Sequence, residues 1–148
     1  MKKFIKLISL ALAVSTLCVL CACGNTFEIK NPTTITLSGP SSTDEKGTSV
    51  VLSPSMNSAD FNLLKEICKG KEYDEIDESP IFGNAKITFT TGISETTVLY
   101  PACDGSNYIQ LYSLNPALST YLKLSDEDMK SLSNIMSKHG IPLNTVDK

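Results

Sequence analysis

The chain has 148 residues, of which 16 are acidic and 13 are lysine, and it contains neither arginine nor tryptophan. This length accommodates one domain with a sizeable hydrophobic core. Without arginine the chain lacks the planar fork that grips phosphate and reads guanine, and its net charge of −3 repels polyanions. We therefore expect no nucleic-acid partner.

The first 20 residues have the pattern of a secretory leader. A basic start with Lys2, Lys3 and Lys6 precedes an apolar run over residues 7–20. The run is short for a membrane-spanning helix, which needs roughly 20 apolar residues. Residues 20–24 then read Leu-Cys-Ala-Cys-Gly. We therefore expect the leader to be removed near this point, and a buried core helix is the alternative.

This Leu-Cys-Ala-Cys sequence resembles the lipobox of bacterial lipoproteins, in which a small residue precedes an obligatory cysteine. The resemblance implies that diacylglycerol is attached to the sulfur of Cys23 and that residues 1–22 are the signal peptide. Cys21 is the rival acceptor, but bulky Leu20 would then precede the cleavage site. Two acyl chains anchor a protein stably where a single chain is marginal. We therefore expect a protein held on the extracytoplasmic face of the cell membrane, with secretion without lipid as the alternative.

Removal of residues 1–22 leaves ten lysines against 16 acidic residues, a net charge of −6. Only Cys68 and Cys103 then remain as free thiols, and an even pair outside the cytoplasm favours a disulfide. Such a bridge would stabilise the fold by roughly 3–4 kcal/mol. The alternative is that both are small buried apolar side chains. The single histidine and the absence of a C-x-x-C motif predict no metal site and no cofactor.

Residues 23–47 are rich in Asn, Thr, Ser, Pro and Gly, which predicts a lipidated flexible tether before a single α+β domain over 48–148. Inside the tether, β-branched residues alternate over 33–37 and could form an edge strand. A short apolar strand is predicted over 49–52.

Two amphipathic helices are predicted. The first covers roughly 58–69, with Asn57 as its N-cap and Gly70 as its stop. The second begins after Ser125 and ends at Gly140. Their apolar stripes are Phe61, Leu64, Ile67 and Cys68 in the first helix and Met129, Leu132, Ile135 and Met136 in the second.

Four alternating runs between the helices predict an antiparallel meander. They cover residues 86–90, 96–100, 108–112 and 118–124. The acidic run 72–78 before them lacks the EF-hand spacing, so it is predicted as a solvated loop rather than a calcium site. The order β(β)αββββα predicts an α+β fold, an antiparallel four- to six-stranded sheet with two helices packed on one face.

The turn between the second and third of these runs is the candidate binding loop. Its Asp-Gly pair favours a hairpin, because both residues tolerate positive φ. Tyrosines beside it offer adaptable contact area, and the alternative is that they pack on a sheet face under the helices. The turn is similar to one in uncharacterised small bacterial lipoproteins, over residues 84–140, and this resemblance names no activity. The candidate residues are Asp104, Gly105, Asn107, Tyr100, Tyr108 and Tyr112.

Catalysis would depend on His139, the only histidine, paired with the Cys103 thiol and oriented by Asp104 or Asp128. His139 ends a predicted helix, where the helix dipole by itself favours a protonated imidazole. We therefore expect no catalytic site.

The sequence thus predicts a lipid-anchored extracytoplasmic binding or accessory domain. Its partner would be an envelope protein, an extracellular protein or a cell-wall component. An inhibitor or immunity-type protein that presents the acidic run 72–78 is one alternative. A thiol or hydrolytic enzyme that uses Cys103 and His139 is the other.

Overall fold

A computed structural model of the chain describes residues 26–41, 47–76, 78–93, 95–112 and 120–143. The predicted signal peptide, residues 1–22, and the predicted lipid acceptor Cys23 lie outside this part of the chain. The lipid anchor therefore remains a prediction.

The described residues form eight strands and two helices around one antiparallel sheet, which confirms the α+β fold. The strands stand in the order β1-β4-β8-β7-β6-β5-β2-β3 across the sheet. In chain order the elements are β1 (Thr26–Phe27), β2 (Thr34–Gly39), β3 (Thr48–Leu52), α1 (Ser58–Cys68), β4 (Lys71–Asp74), β5 (Lys86–Thr91), β6 (Glu95–Pro101), β7 (Tyr108–Leu111), β8 (Thr120–Lys123) and α2 (Asp126–Lys138).

The sheet has two more strands than the predicted maximum of six. The order is also different, because three strands precede α1 and five lie between the helices. The two missed strands are β1, which has two residues, and β4, which overlaps the start of the run 72–78 that we predicted as a solvated loop. Neither has a periodic apolar pattern. They are strands because β4 pairs with β8 and β1 pairs with β4, so long-range pairing overrides their weak local preference.

The position of strand β2 shows that the prediction of a flexible tether over residues 23–47 is wrong for residues 34–39. We expected residues 33–37 to form an edge strand at most, within a flexible segment over 23–47. In the structure β2 lies inside the sheet, between β3 and β5, and its Ile35 and Leu37 are fully buried. The folded domain therefore extends on the N-terminal side of its predicted start at residue 48, and the sheet already begins at Thr26.

The helix ends follow the sequence signals with one exception. The side chain of Ser125 accepts a hydrogen bond from the backbone N–H of Asp128, so it caps α2 as predicted. Asn57 occupies the N-cap position of α1, but its backbone is left-handed, with φ of 56°, and its side chain makes no capping bond. Its conformation, rather than a capping bond, sets the direction in which the chain enters α1.

Both helices and one face of the sheet share a single core. Successive strand residues point to opposite faces, so in β5 the side chains of Ile87 and Phe89 are fully buried while those of Thr88 and Thr90 lie on the other side. The core joins Ile35, Leu37, Leu52, Ile87, Phe89, Leu99, Ile109 and Leu122 of the strands to Phe61, Leu64, Ile67 and Cys68 of α1 and Leu132, Ile135 and Met136 of α2.

One glycine is required by space. Strand β2 ends at Gly39, where an added Cβ would lie 2.8 Å from Cγ2 of Ile141 and 2.9 Å from Cα of Ala85. The missing side chain lets the segment after α2 close over this end of the core, where Ile141 is fully buried. Neither of the described helices is long and apolar enough to cross a membrane.

Candidate functional site on the open face of the sheet

The face of the sheet opposite the helices carries a row of aromatic and amide side chains. Tyr100 of β6 stands directly opposite Gln110 of β7, and Gln110 stands opposite Tyr121 of β8. Asp74 of β4 continues the row beyond Tyr121. These residues alternate along their strands with buried core residues such as Leu99, and this alternation is what directs them away from the helices.

Further rings join this row. Tyr112 follows β7, and its backbone N–H donates to the carbonyl of Val98 over 2.9 Å. Its ring centroid lies 6.1 Å from that of Tyr100, and its side chain is 52% exposed. Phe82 stacks on Tyr121 at 5.9 Å. We call this surface, formed by Phe82, Tyr100, Tyr108, Tyr112 and Tyr121, the tyrosine face.

Tyr108 is held between two charged residues at the β4 side of the tyrosine face. Its hydroxyl donates to Oδ2 of Asp74 over 3.2 Å. Lys123, directly opposite on β8, places its Nζ 5.8 Å from the centroid of the Tyr108 ring, within the range of a cation–π contact. The hydroxyl of Tyr121 lies 3.3 Å from that of Ser79. These contacts orient the rings, so this part of the surface is ordered before any ligand arrives.

The structure separates the two halves of the predicted binding loop. The three tyrosines, Tyr100, Tyr108 and Tyr112, lie together on the open face, and this overturns the alternative that they pack under the helices. The polar residues of the predicted loop instead form hydrogen bonds that stabilise the loop. Asp104 accepts hydrogen bonds from the backbone N–H groups of Ile81 and Ser106, over 3.2 and 3.0 Å.

The other two loop residues are also structural. The side-chain amide of Asn107 donates to a carboxylate oxygen of Asp126, and the backbone carbonyl of Asn107 accepts a hydrogen bond from the N–H of Leu124. Gly105 has φ of 83°, a left-handed conformation that glycine adopts without strain. The loop is thus a support that fixes the start of α2 beside Tyr108, which begins the next strand.

Sequence reasoning missed two members of the tyrosine face. Tyr121 alternates with apolar Leu122 in the predicted run 118–124, so the period of two could have placed Tyr121 on the open side. Phe82 gave no such signal. It reaches Tyr121 because residues 78–85 run from the β4 side of the sheet towards β5, with one isolated bridge between Phe82 and Ala102.

The two cysteines are separate buried thiols. Cys68 lies in the core under α1, and burial raises its pKa to about 12, which keeps the thiol protonated and unreactive. Cys103 donates its S–H to the carbonyl oxygen of Ile81 over 3.3 Å. The structure therefore does not contain the predicted Cys68–Cys103 disulfide, and both residues match the alternative of small buried side chains.

His139 has a carboxylate partner on the other helix. Its Nε2 lies 2.8 Å from Oδ2 of Asp60, and Nζ of Lys138 lies at the same distance from that oxygen. The hydrogen bond from Lys138 is the main reason that the pKa of Asp60 is lowered, although burial opposes it. This Asp60 cluster connects the first turn of α1 to the C-terminal end of α2.

The residues named for catalysis therefore have other partners. Asp128 forms an ion pair with Lys71 at 2.6 Å, Asp104 holds its loop, and His139 holds Asp60. The contacts found for Cys103 and His139 do not join them. Within the described ranges, no group of three His, Cys, Asp or Glu side chains could hold a metal ion.

Comparison with known proteins adds no likeness. No protein family, no curated protein and no solved structure matches the chain. The tyrosine face and the N-terminal motif are therefore the features that bear on function.

Proposed function

We propose that the protein is a lipid-anchored, extracytoplasmic binding module without catalytic activity, and that the tyrosine face is its binding surface. The observation that supports this most is the placement of four tyrosines on the face of the sheet that the helices leave uncovered. Tyrosine combines a large apolar ring with a polar tip, which suits a surface that must remain hydrated until it binds. The lipobox resemblance supplies the location, with Cys23 as the anchored residue.

The chemistry of the tyrosine face favours a polysaccharide of the cell wall as the partner. At its centre the row Tyr100, Gln110 and Tyr121 is uncharged. Sugar rings present apolar C–H faces that stack on aromatic rings, and their hydroxyls pair with amide and carboxylate groups such as those of Gln110 and Asp74. Charged residues flank this row on both sides, Asp74 and Lys123 towards β4 and Lys86 on β5, and the uncharged centre fits such a ligand better than it fits a strongly charged protein.

Co-sedimentation tests this proposal directly. A chain that begins at Gly24 keeps every described residue and omits the predicted signal peptide and anchor. We expect it to sediment with protease-treated, insoluble cell-wall polysaccharide, and the double substitution Tyr100→Ala with Tyr112→Ala to weaken this binding at least about tenfold, since stacking of aromatic side chains is lost.

Tyr73→Ala is the matched control. Tyr73 is also a solvent-accessible tyrosine, 36% exposed, but it lies on the helix side of the sheet and packs edge-on against Phe27. We expect this variant to bind as the wild type does. Equal losses in the two variants would contradict the proposed surface. Binding that disappears when the wall is treated with protease would identify a protein partner instead.

The anchor needs its own experiment. Metabolic labelling with a fatty-acid analogue should modify the full chain, and Cys23→Ala should abolish the label, because the thioether forms at that sulfur. Cys21→Ala is the control and should retain the label. An unlabelled wild type would rule out the lipid anchor while leaving the test of the tyrosine face unaffected.

A further inference from the structure

The two edges of the sheet are protected to different degrees. Strand β1 forms one edge and has only two residues, and a very short edge strand is one of the devices by which proteins prevent edge-to-edge pairing. Strand β3 forms the other edge and has five residues, Thr-Ser-Val-Val-Leu. In the part of the chain that the structure describes, β2 is the only strand that pairs with β3.

The residues of strand β3 themselves provide none of the protective features that a strand can carry. Strand β3 contains no charged residue and no proline, and its register with β2 runs without a bulge from Thr48 to Leu52. Val51 is 53% exposed on the open side. An uncharged, regular edge offers its outward N–H and C=O groups to another extended strand.

We infer that β3 is a self-association edge, at which the β3 strand of a second copy of this chain pairs antiparallel and joins two sheets into one. Directly opposite residues of an antiparallel pair point to the same face. Core-facing Val50 and Leu52 must therefore stand opposite core-facing residues of the second copy. In one register all five residues of the two strands overlap and this condition is met. In that register Val50 of one copy faces Val50 of the second copy across a two-fold axis.

This register has consequences for the whole dimer. Thr48 stands opposite Leu52 of the second copy, and Ser49 stands opposite its Val51. The helices of both copies then lie on one side of the joined sheet, and both tyrosine faces lie on the other. A dimer of this kind presents two binding surfaces in one direction, which raises avidity for a repeating polymer.

A second copy fits this edge better than an unrelated strand because the edge is self-complementary. In a two-fold dimer the β3 strands of the two copies pair with each other through identical patches, so neither copy has a free β3 edge left for further association. A five-residue edge buries less than the roughly 1,000 Å² that a stable interface needs. We therefore expect a weak dimer, with a dissociation constant in the range of about 0.01–1 mM.

Analytical ultracentrifugation of the chain that begins at Gly24 tests this inference. We expect the weight-average mass to rise from monomer to dimer as the concentration approaches about 1 mM. Val51→Lys should weaken the dimer at least about tenfold, because the two introduced lysines lie diagonally about 7–8 Å apart and repel each other. Its control is Ile93→Lys, the same kind of change at a fully exposed residue in the turn after β5, which should dimerise as the wild type does.

Cysteine cross-linking tests the register. Ser49→Cys combined with Val51→Cys should form a covalent dimer on mild oxidation, because these positions face each other across the axis, where Cβ atoms approach to about 4.5 Å, the upper limit for a disulfide. Ser49→Cys combined with Ile93→Cys should remain uncross-linked. A wild type that stays monomeric at about 1 mM, or a dimer that Val51→Lys leaves intact, would overturn the inference, and failure of the cross-link would overturn the register.

Discussion

The two faces of the sheet differ although the same strands form both. On the helix side the alternate residues of β5 and β6, Ile87, Phe89 and Leu99, are fully buried. On the open side their neighbours, such as Thr88, Val98 and Tyr100, remain partly exposed. Burial of large apolar side chains supplies most of the stability, whereas partly exposed rings remain available to a ligand. Substitutions on the two faces should therefore affect stability and binding separately.

The largest loss of stability is expected from Phe89→Ala. Phe89 is fully buried in the layer between the sheet and the helices, so its removal leaves a cavity and lowers the free energy of unfolding by about 3–5 kcal/mol. Urea denaturation followed by circular dichroism measures the change. Its neighbour on the open face, Thr88→Ala, is the control and should lose less than about 1 kcal/mol. Similar losses at both positions would contradict the assignment of the faces.

Gly39→Ala should cause the next largest loss. The new methyl group would lie 2.9 Å from the backbone of Ala85 and 2.8 Å from Ile141, so the end of β2 must separate from the segment after α2. We expect a destabilisation of about 1–3 kcal/mol, measured in the same denaturation experiment. Ser38→Ala adds no atoms beside this contact and should remain close to the wild type. A stable Gly39→Ala variant would show that this end of the core is loosely closed.

Removal of the Asp60 carboxylate should have a smaller effect that depends on pH. Asp60→Ala leaves His139 and Lys138 without their shared partner, and we expect a loss of about 1–2 kcal/mol near neutral pH. The pKa of Asp60 is lowered in the folded state from its ordinary value of 3.8. The unfolded chain therefore takes up the proton first on acidification, so the contribution is present above the ordinary pKa and is lost as the pH falls through the folded-state pKa.

Unfolding measured from pH 6 to pH 2 checks this sign. The difference between the wild type and Asp60→Ala should shrink as the pH falls below about 4. Glu66→Gln, which changes an exposed carboxylate of the same helix, serves as the control. A difference that grows on acidification would be inconsistent with a stabilising carboxylate at Asp60.

The smallest effect on stability is expected from Tyr112→Ala. Its side chain is 52% exposed, so truncation should change the free energy of unfolding by no more than about 0.5 kcal/mol. The same variant should nevertheless bind cell-wall polysaccharide less well than the wild type. A large loss of stability without loss of binding would reverse the roles that we assign to the two faces.

Most elements were predictable because their signals are local. The apolar stripe of α2 and the capping by Ser125 depend on residues within a few positions of each other, and both agree with the structure. The alternation in β5 to β7 gave their positions to within one residue. Strands β1 and β4 gave no such signal, because their partners lie far away in the chain and their own residues alternate poorly.

The candidate site was predictable only in part. Tyr100, Tyr108 and Tyr112 could be named because they flank a recognisable turn. The strand register decides that these three tyrosines share a face with Tyr121 and Phe82. It also decides that Asp104 and Asn107 form hydrogen bonds that hold the loop. Register joins residues that are distant in sequence, so no local pattern contains it.

The sequence by itself determined the periodic elements, since hydrophobic spacing along a helix or a strand is a property of neighbouring residues. It also supports the predicted membrane anchor, because the lipobox resemblance lies within a few adjacent residues. Only the tertiary structure decided that residues 34–39 belong to the sheet, that Asp60 meets His139, and that four tyrosines gather on the uncovered face. Those outcomes follow from pairing and packing between distant segments. The stabilising free energy of such a contact arises from both residues together and cannot be assigned to either residue alone.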